Sequence, residues 1–173
     1  IGAGAAGMFA AITSASEGYR TAVIEPNEKV GRKLAITGKG RCNVTNNCTN
    51  EELLNNVPVN PRFLYSAFSG FNSQDVMDFF EQLGVPLKTE RGNRVFPVSD
   101  NAQDVVDALE RELKNLGVKI INRKVTKLII ADDDAFYKMG ERKIIFSCKA
   151  FVKAVIDMKD FTAQDVKIGN DKS

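Results

Sequence analysis

Glycines at a regular spacing open the chain, and a carboxylate follows them. Gly2, Gly4 and Gly7 form the pattern Gly-x-Gly-x-x-Gly, which is typical of a turn that binds the pyrophosphate of a dinucleotide. The first glycine permits the tight turn, the second lets the backbone approach the phosphates, and the third lets a helix pack closely on a strand. Glu25 comes about 20 residues later, after the mostly apolar run 21–24. A carboxylate there accepts hydrogen bonds from both hydroxyls of an adenosine ribose.

A helix is expected to begin directly after this turn. Ala5 and Ala6 would be its first residues, so their N–H groups and the positive end of the helix dipole would face the phosphates. A strand of about five or six residues should precede the turn, yet Ile1 is the only residue before Gly2, and the chain does not begin with Met. We therefore expect a fragment that lacks at least the central strand of its sheet.

The composition argues against several kinds of site. The 173 residues suit one domain, or one domain and the start of another. The absence of histidine argues against zinc, haem and serine-triad chemistry. The three cysteines, Cys42, Cys48 and Cys148, match neither a disulfide framework nor a zinc site, so we predict no metal. No run approaches about 18 apolar residues, so we predict no membrane span. Unpaired thiols and the absence of a recognisable export signal favour a cytoplasmic location.

A glycine-rich strip, residues 31–46, lies within a basic segment. Residues 29–50 carry five basic residues and no acidic one, although the net charge of the chain is only +2. Its glycines permit close backbone approach, and Lys33 or Arg41 can offset phosphate charge, so the segment suits an anionic cofactor. The alternatives are a solvated charged loop and a weak nucleic-acid patch. Because no aromatic residue is interleaved there to stack on bases, we predict no nucleic-acid partner.

The remaining pattern predicts alternating helices and strands, which favours a mostly parallel α/β sheet. Asn60 and Ser73 are expected to cap helices, and Asp100 with Gln103 resembles a capping box. Aromatic residues after Ser73 are expected to pack in the core rather than to bind a ligand. Four predicted helices are 5–17, 51–55, 61–68 and 150–158. One further helix is predicted to begin at Ser73 and to end at Gly84, and another to begin at the capping box and to end at Gly117. The predicted strands are 21–24, 85–88, 94–98, 118–121 and 125–131, with an extended loop over 29–50 and a hairpin that pairs 136–139 with 142–148.

Several of these motifs together resemble a known family. The opening glycines, Glu25, the strip and the segment 93–99 (Asn-Arg-Val-Phe-Pro-Val-Ser) look like those of bacterial NAD(P)/FAD-dependent oxidoreductases, in particular the aminoacetone-oxidase-like or BaiN-like flavoproteins. The resemblance covers residues 1–131. It implies an α/β, FAD/NAD(P)-binding Rossmann-like fold of the glutathione-reductase type, here incomplete because the first strand and the C-terminal half are missing.

The resemblance also implies roles for individual residues. The opening turn would hold the FAD pyrophosphate, Glu25 would hold the adenosine ribose, and backbone groups of Val125 would meet the adenine. The segment 94–99 would lie near the substrate-facing side, without an assigned catalytic role. The strip would run along the pyrophosphate, ribityl and flavin groups through Lys33, Thr37, Gly38, Gly40, Arg41, Cys42 and Asn43.

We therefore hypothesise that residues 1–131 are the FAD-binding part of a flavin-dependent oxidoreductase and that 132–173 form an unassigned tail. Electrons would pass from NAD(P)H through FAD to a small organic substrate. An NAD-dependent Rossmann dehydrogenase explains the opening turn but leaves the strip unexplained. A non-catalytic remnant is the third hypothesis, and we expect the isolated chain to be inactive. No catalytic residue or oligomeric state is assigned, and packing is favoured over a redox role for Cys42, which lacks a CxxC partner.

Overall fold

The computed structural model describes residues 1–131 and 151–156, and the chain divides into two compact units, residues 1–121 and residues 122–173. The predicted domain boundary after residue 131 stays a prediction. The helices are α1 (Ala5–Ser16), α2 (Arg32–Ile36), α3 (Asn50–Asn55), α4 (Tyr65–Gly70), α5 (Ser73–Gln82) and α6 (Ala102–Asn115), with 3-10 turns at Thr37–Gly40 and Pro61–Leu64. The strands are β1 (Ala22–Glu25), β2 (Thr45–Asn46), β3 (Leu87–Glu90), β4 (Arg94–Pro97), β5 (Lys119–Asn122), β6 (Val125–Ala131) and β7 (Phe151–Ile156).

The core of the first unit lies between α1 and α6. Apolar residues at helical spacing put Val105, Leu109 and Leu113 on one face of α6, and each is at most 1% exposed. Met8 of α1 and Val23 of β1 belong to the same core. This spacing is the strongest helix signal in the sequence, and it explains why α6 forms close to the predicted position.

The strands form three small sheets. β1 pairs with β5, β4 lies between β2 and β3, and β6 pairs with β7. In the middle sheet Val95 lies opposite both Thr45 and Thr89, and both pairings are antiparallel. The β6–β7 pairing of the second unit is antiparallel as well. The prediction of a mostly parallel sheet is therefore wrong for these two sheets. In the middle sheet the reason is local, because the turn at residues 91–93 joins β3 and β4 as a hairpin.

Two helix caps lie one residue away from the predicted positions. Asn72, not Ser73, caps α5: its side chain accepts hydrogen bonds from the N–H groups of Gln74 and Asp75, while the Asp75 carboxylate accepts from the Asn72 N–H. Asn101 caps α6 through the N–H of Gln103. Asparagine caps helices as well as serine and aspartate do, so residue type alone could not select between neighbouring candidates.

The predicted capping residues take other positions. Ser73 is a buried first residue of α5, and Asp100 has left-handed backbone (φ 57°) and pairs with Lys88. Asn60 also has φ 48° and makes no side-chain cap; a 3-10 turn and then α4 follow it in place of one continuous helix.

The strip is more ordered than an extended loop. It contains α2, the 3-10 turn Thr37–Gly40 and β2. Leu34 and Ala35 pack against the core, and this burial stabilises a short helix that the flanking glycines obscured in the sequence. The prediction of an extended loop over 29–50 is therefore wrong.

The prediction of a helix over 150–158 is wrong for residues 151–156, the part of it that the structure describes. Residues 151–156 form β7, with Val152, Val155 and Ile156 opposite β6. The β-branched content of Phe-Val-Lys-Ala-Val-Ile favours a strand once a partner is present. The predicted hairpin of 136–139 with 142–148 lies outside the described residues. Within the described residues, no helix combines the length and apolar content needed to cross a bilayer.

Candidate functional site

The opening turn contacts the first helix as the glycine pattern predicts. Gly2 has φ 90°, and its N–H donates to the Ile24 carbonyl at 2.8 Å, which ties the turn to β1. A Cβ atom on Gly7 would lie 1.8 Å from the Gly2 carbonyl oxygen. No other residue type fits at position 7 unless the turn moves, so the third glycine has the packing role expected of it.

The N-terminus of α1 has unused donors. Gly4 is the N-cap residue, no side chain caps the helix, and its first turn contains no acidic residue. The first N–H group with a carbonyl partner in the helix is that of Met8, which donates to Gly4 at 3.0 Å. The N–H groups of Ala5 and Ala6 therefore lie before the first helical hydrogen bond, and both residues are exposed. This end of the helix can accept an anion.

Glu25 is directed toward the opening turn. The residue is 8% exposed, and Oε2 accepts a 2.7 Å hydrogen bond from the N–H of Ala3. Oε1 accepts from the backbone N–H of Asn27 at 3.0 Å and also from its side-chain amide. The Ala3 N–H holds the pKa of Glu25 below its ordinary value against the opposing effect of burial, and Asn27 and the charge of Arg32 add to the lowering. The carboxylate is therefore ionised at neutral pH.

The strip begins against the same turn. Gly31 donates its N–H to the carbonyl of Ala3 at 2.7 Å. Gly31 has φ 65°, and a Cβ atom there would lie 2.7 Å from the Cγ1 of Val106 on α6. The positive φ and the close approach to Val106 both favour glycine at this position. Ala3, which is 1% exposed, therefore uses its two backbone groups to join the turn to Glu25 and to the strip.

Further along, the strip follows an unusual backbone path. Lys39 and Cys42 have left-handed backbone with φ 59°, although neither is glycine. The N–H of Cys42 donates to the Thr37 carbonyl at 3.1 Å, and the Thr37 hydroxyl donates to Leu34 at 2.8 Å. Burial raises the pKa of the Cys42 thiol, with an opposing effect of Thr37. The thiol is thus protonated at neutral pH and is not an activated nucleophile.

Arg41 is directed toward carboxylates. Its Nε donates to Asp100 Oδ1 at 2.7 Å, its Nη1 donates to Glu90 Oε2 at 3.2 Å, and its Nη2 contacts both carboxylates. The guanidinium carbon lies 4.1 Å from the centre of the Phe96 ring. The hydrogen bond from Arg41 holds the pKa of Glu90 below its ordinary value. The predicted contact of Arg41 with phosphate stays a prediction.

A cavity of about 400 Å³ joins the helix N-terminus to the strip. Ala5 and Ala6 of α1 and Cys42 and Asn43 of the strip all line it. Apolar side chains form the rest of the wall, namely Phe9, Leu34, Val44, Phe71, Val76, Phe80, Val105 and Leu109. A mostly apolar cavity with a few polar groups suits a planar organic ring.

The cavity thus brings together four of the predicted cofactor-binding residues. The other predicted strip residues (Lys33, Thr37, Gly38, Gly40 and Arg41) are not part of its wall as the structure describes it. Gly38 instead packs on Phe96: a Cβ atom on Gly38 would lie 3.2 Å from Cε1 of the Phe96 ring. Val125 begins β6 in the second unit. Contacts of all these residues with a cofactor stay predictions.

Sequence reasoning missed several residues of this region. Asn27 follows the expected carboxylate by two positions, and an asparagine there is typical of a turn in which it could contact Glu25. Glu90 and Asp100 gave no signal, because they are 49 and 59 positions from Arg41. Phe80 belongs to the core, as expected of the aromatic residues after Ser73, but it also forms part of the cavity wall.

Comparisons with known proteins agree with this geometry. The family model described as "HI0933-like protein Rossmann domain" matches residues 1–156. The chain is 37% identical over 122 residues to a 3-dehydro-bile acid delta(4,6)-reductase of Clostridium scindens, covering 69% of this chain and 29% of that protein. It is 31% identical over 154 residues to the ribosomal RNA dihydrouridine synthase of Escherichia coli, covering 89% and 38%. A protein of the same name from Haemophilus influenzae is 32% identical over 124 residues, covering 71% and 30%.

A solved structure shares the fold. The crystal structure of Thermovibrio ammonificans THI4 superposes with a TM-score of 0.55 at 14% identity, covering 90% of this chain and 45% of that chain. The family resemblance and the Rossmann-like α/β fold predicted from the sequence are thereby confirmed. The chain spans about a third of the length of the curated relatives it matches.

Proposed function

This chain belongs to the HI0933-like protein Rossmann domain family, and on that basis we propose that it forms the FAD-binding part of a flavin-dependent oxidoreductase. One observation carries the proposal: the uncapped start of α1, the Glu25 carboxylate and the first residue of the strip all lie at the turn around Ala3. A dinucleotide requires N–H donors for its pyrophosphate, a carboxylate for its ribose and apolar walls for a ring. The first unit contains all three.

The residues have separate roles in this proposal. The N–H groups of Ala5 and Ala6 and the backbone of Gly4 hold the pyrophosphate, and Glu25 holds the adenosine ribose. The cavity receives an apolar part of the cofactor against Cys42 and its neighbours. When bound, FAD supplies hydride and electron transfer. The chain orients the cofactor and offsets the charge of its phosphates.

A matched pair of substitutions on α1 tests the proposal. Ala6 is exposed in the first helical turn, where a glutamate stabilises a helix but repels a diphosphate. Ala10 is exposed further along the same helix, so Ala10→Glu adds the same charge away from the site. After purification with FAD and removal of the excess, we expect the unsubstituted chain and Ala10→Glu to retain about one flavin, which absorbs at about 450 nm.

Ala6→Glu should lose the flavin while its far-UV circular dichroism stays unchanged. Failure of the unsubstituted chain to retain flavin would contradict the proposal. Equal retention by Ala6→Glu would contradict the placement of the pyrophosphate at α1.

We propose the class of reaction from the names of the relatives. A delta(4,6)-reductase and a dihydrouridine synthase both add hydrogen to carbon–carbon double bonds. A protein that contains this chain would accordingly reduce a double bond of a small organic substrate, with hydride passing from NAD(P)H through the flavin to one carbon and a proton from water adding to the other. Because the chain spans about a third of the relatives, we expect it alone to bind FAD without turnover. Turnover of NAD(P)H by the purified chain would contradict that expectation.

Ribosomal RNA is a second candidate substrate, because the names of two relatives include it. Lys33 and Lys39 are exposed on the strip and could contact phosphates. In that case Lys33→Glu combined with Lys39→Glu should abolish salt-sensitive retention of a ribosomal RNA fragment. Lys114→Glu, on α6, is the control. Equal retention by the control and the double variant would favour the small-molecule substrate.

A further inference from the structure

The strip has two faces with different surroundings. Cys42 is 1% exposed and forms part of the cavity wall, whereas the preceding residue, Arg41, makes its ion pairs outside that wall. Because Arg41 is bonded directly to Cys42, a displacement of Arg41 would be transmitted to the cavity wall.

Two basic and two acidic side chains, Arg41 among them, form one cluster, and we call these four residues, together with Phe96, the clamp. Arg41 pairs with Glu90 and Asp100, and Lys88 pairs with the same two carboxylates at 3.5 and 2.7 Å. The Phe96 ring supports the guanidinium from one side. Arginine binds both oxygens of Glu90, a geometry that lysine cannot reproduce.

Local backbone preferences do not hold the strip in this shape. Lys39 and Cys42 both have left-handed backbone, which is unfavourable for residues with a Cβ atom. Such a conformation persists only where surrounding contacts impose it. Among the described contacts of this part of the strip, those of Arg41 are with β3 and with the residues before α6.

We propose that Arg41, Glu90 and Asp100 are positioning residues that fix Cys42 and Asn43 in the wall of the cavity that the start of α1 also lines. Arg41 thus acts through Cys42 and does not itself bind the cofactor phosphate. The inference rests on the proposed function only in taking the cavity as part of the cofactor site.

The reactivity of the Cys42 thiol measures this positioning without any cofactor. In a background with Cys48→Ser and Cys148→Ser, Cys42 is the single thiol, and its burial protects it from a disulfide reagent such as DTNB. We expect Arg41→Met to raise the labelling rate on the order of tenfold, because charge-assisted hydrogen bonds to two carboxylates are lost. The labelling rate should not change at low urea concentrations, because local opening of the strip exposes little new surface, unlike unfolding of the whole chain. Lys114→Met, which removes the pair with Glu110 on α6, should leave the rate unchanged.

Three further variants keep the test decisive. The double variant Glu90→Gln with Asp100→Asn should raise the labelling rate of Cys42 to a similar extent. Adding Arg41→Met to this double variant should raise the rate little further, because the three substitutions disrupt the same network. Arg41→Lys keeps the charge and should give an intermediate rate. Unchanged protection in Arg41→Met would overturn the proposal, as would a rise that appears only as urea unfolds the whole chain.

The cofactor provides a separate readout. FAD affinity should fall in Arg41→Met in step with the loss of Cys42 protection. Loss of FAD with Cys42 still protected would instead make Arg41 a direct phosphate ligand and overturn the proposal. Failure of the unsubstituted chain to bind FAD would contradict the proposed function alone, because thiol labelling would still report on the clamp.

Discussion

The N–H of Ala3 donates a 2.7 Å hydrogen bond to Oε2 of Glu25, 22 positions further along the chain. The carbonyl of the same residue accepts a 2.7 Å hydrogen bond from Gly31. One buried peptide segment therefore joins the opening turn, the end of β1 and the start of the strip. The chain itself holds these three parts of the proposed cofactor site together.

Glu25→Gln should destabilise the first unit. A glutamine amide cannot accept hydrogen bonds with both of its polar atoms, so either Ala3 or Asn27 would lose an acceptor. Leaving a buried donor without a partner costs about 1–3 kcal/mol. The free energy of unfolding from urea titrations measures the loss. An unchanged value would show that the Ala3 contact contributes little to stability.

The same carboxylate should make stability depend on pH. Folding lowers the pKa of Glu25, so the folded state binds fewer protons than the unfolded state between the two values. The stabilisation is complete above the ordinary value of about 4.5 and is lost as the pH falls through the lower folded value. Urea titrations over this acid range should show a smaller pH dependence for Glu25→Gln than for the unsubstituted chain. Parallel curves would contradict this assignment.

Gly7→Ala should be strongly destabilising, since its Cβ would lie 1.8 Å from the Gly2 carbonyl oxygen. Relief requires the turn to move away from α1, and forced packing of this kind costs about 1–3 kcal/mol or more. Gly70→Ala is the control, because no atom lies within 4 Å of its Cβ position. Thermal unfolding followed by circular dichroism compares the two variants. A similar midpoint for both would contradict the close approach of turn and helix.

Gly31 and Val106 should be energetically coupled. Gly31→Ala adds a Cβ at 2.7 Å from Val106 Cγ1 and also strains a backbone with φ 65°. Val106→Ala alone leaves a cavity in the core, but in the Gly31→Ala background it removes the clash. The double variant should therefore be more stable than the sum of the single losses predicts, by about 0.5–3 kcal/mol. Additive losses would show that backbone strain alone accounts for the effect.

Asn72→Ala should destabilise α5 more than Ser73→Ala does. Asn72 accepts two hydrogen bonds at the helix start, and loss of such a cap costs about 0.5–2 kcal/mol. The Ser73 hydroxyl has only a 3.4 Å contact with Thr45. Unfolding free energies of the two variants give the comparison. The reverse order would restore Ser73 as the capping residue that the sequence suggested.

The sequence allowed accurate prediction where one local pattern decided the structure. The apolar spacing of Val105, Leu109 and Leu113 predicted α6, and the Gly2–Gly7 pattern predicted the turn and the close approach at Gly7. These features depend on residues within a few positions of each other, so a single sequence contains the information.

Prediction failed where the deciding partner is distant or where neighbours compete. The conformation of the strip depends on Leu34 packing in the core and on Arg41 pairing with Glu90 and Asp100, and neither contact is encoded locally. The strand at 151–156 depends on its pairing with β6. The caps of α5 and α6 failed by one residue, because asparagine, serine and aspartate are nearly equivalent in that role.

The clamp also has a consequence for the order of assembly. The two ion pairs of Arg41 close loops of 49 and 59 positions, and such contacts form late because the intervening chain must first lose its conformational freedom. On a ribosome, residue 41 emerges long before residue 100. If the clamp positions Cys42 and Asn43 as proposed, the opening turn and α1 can form first, whereas this part of the cavity wall takes its final shape only after Asp100 has been synthesised.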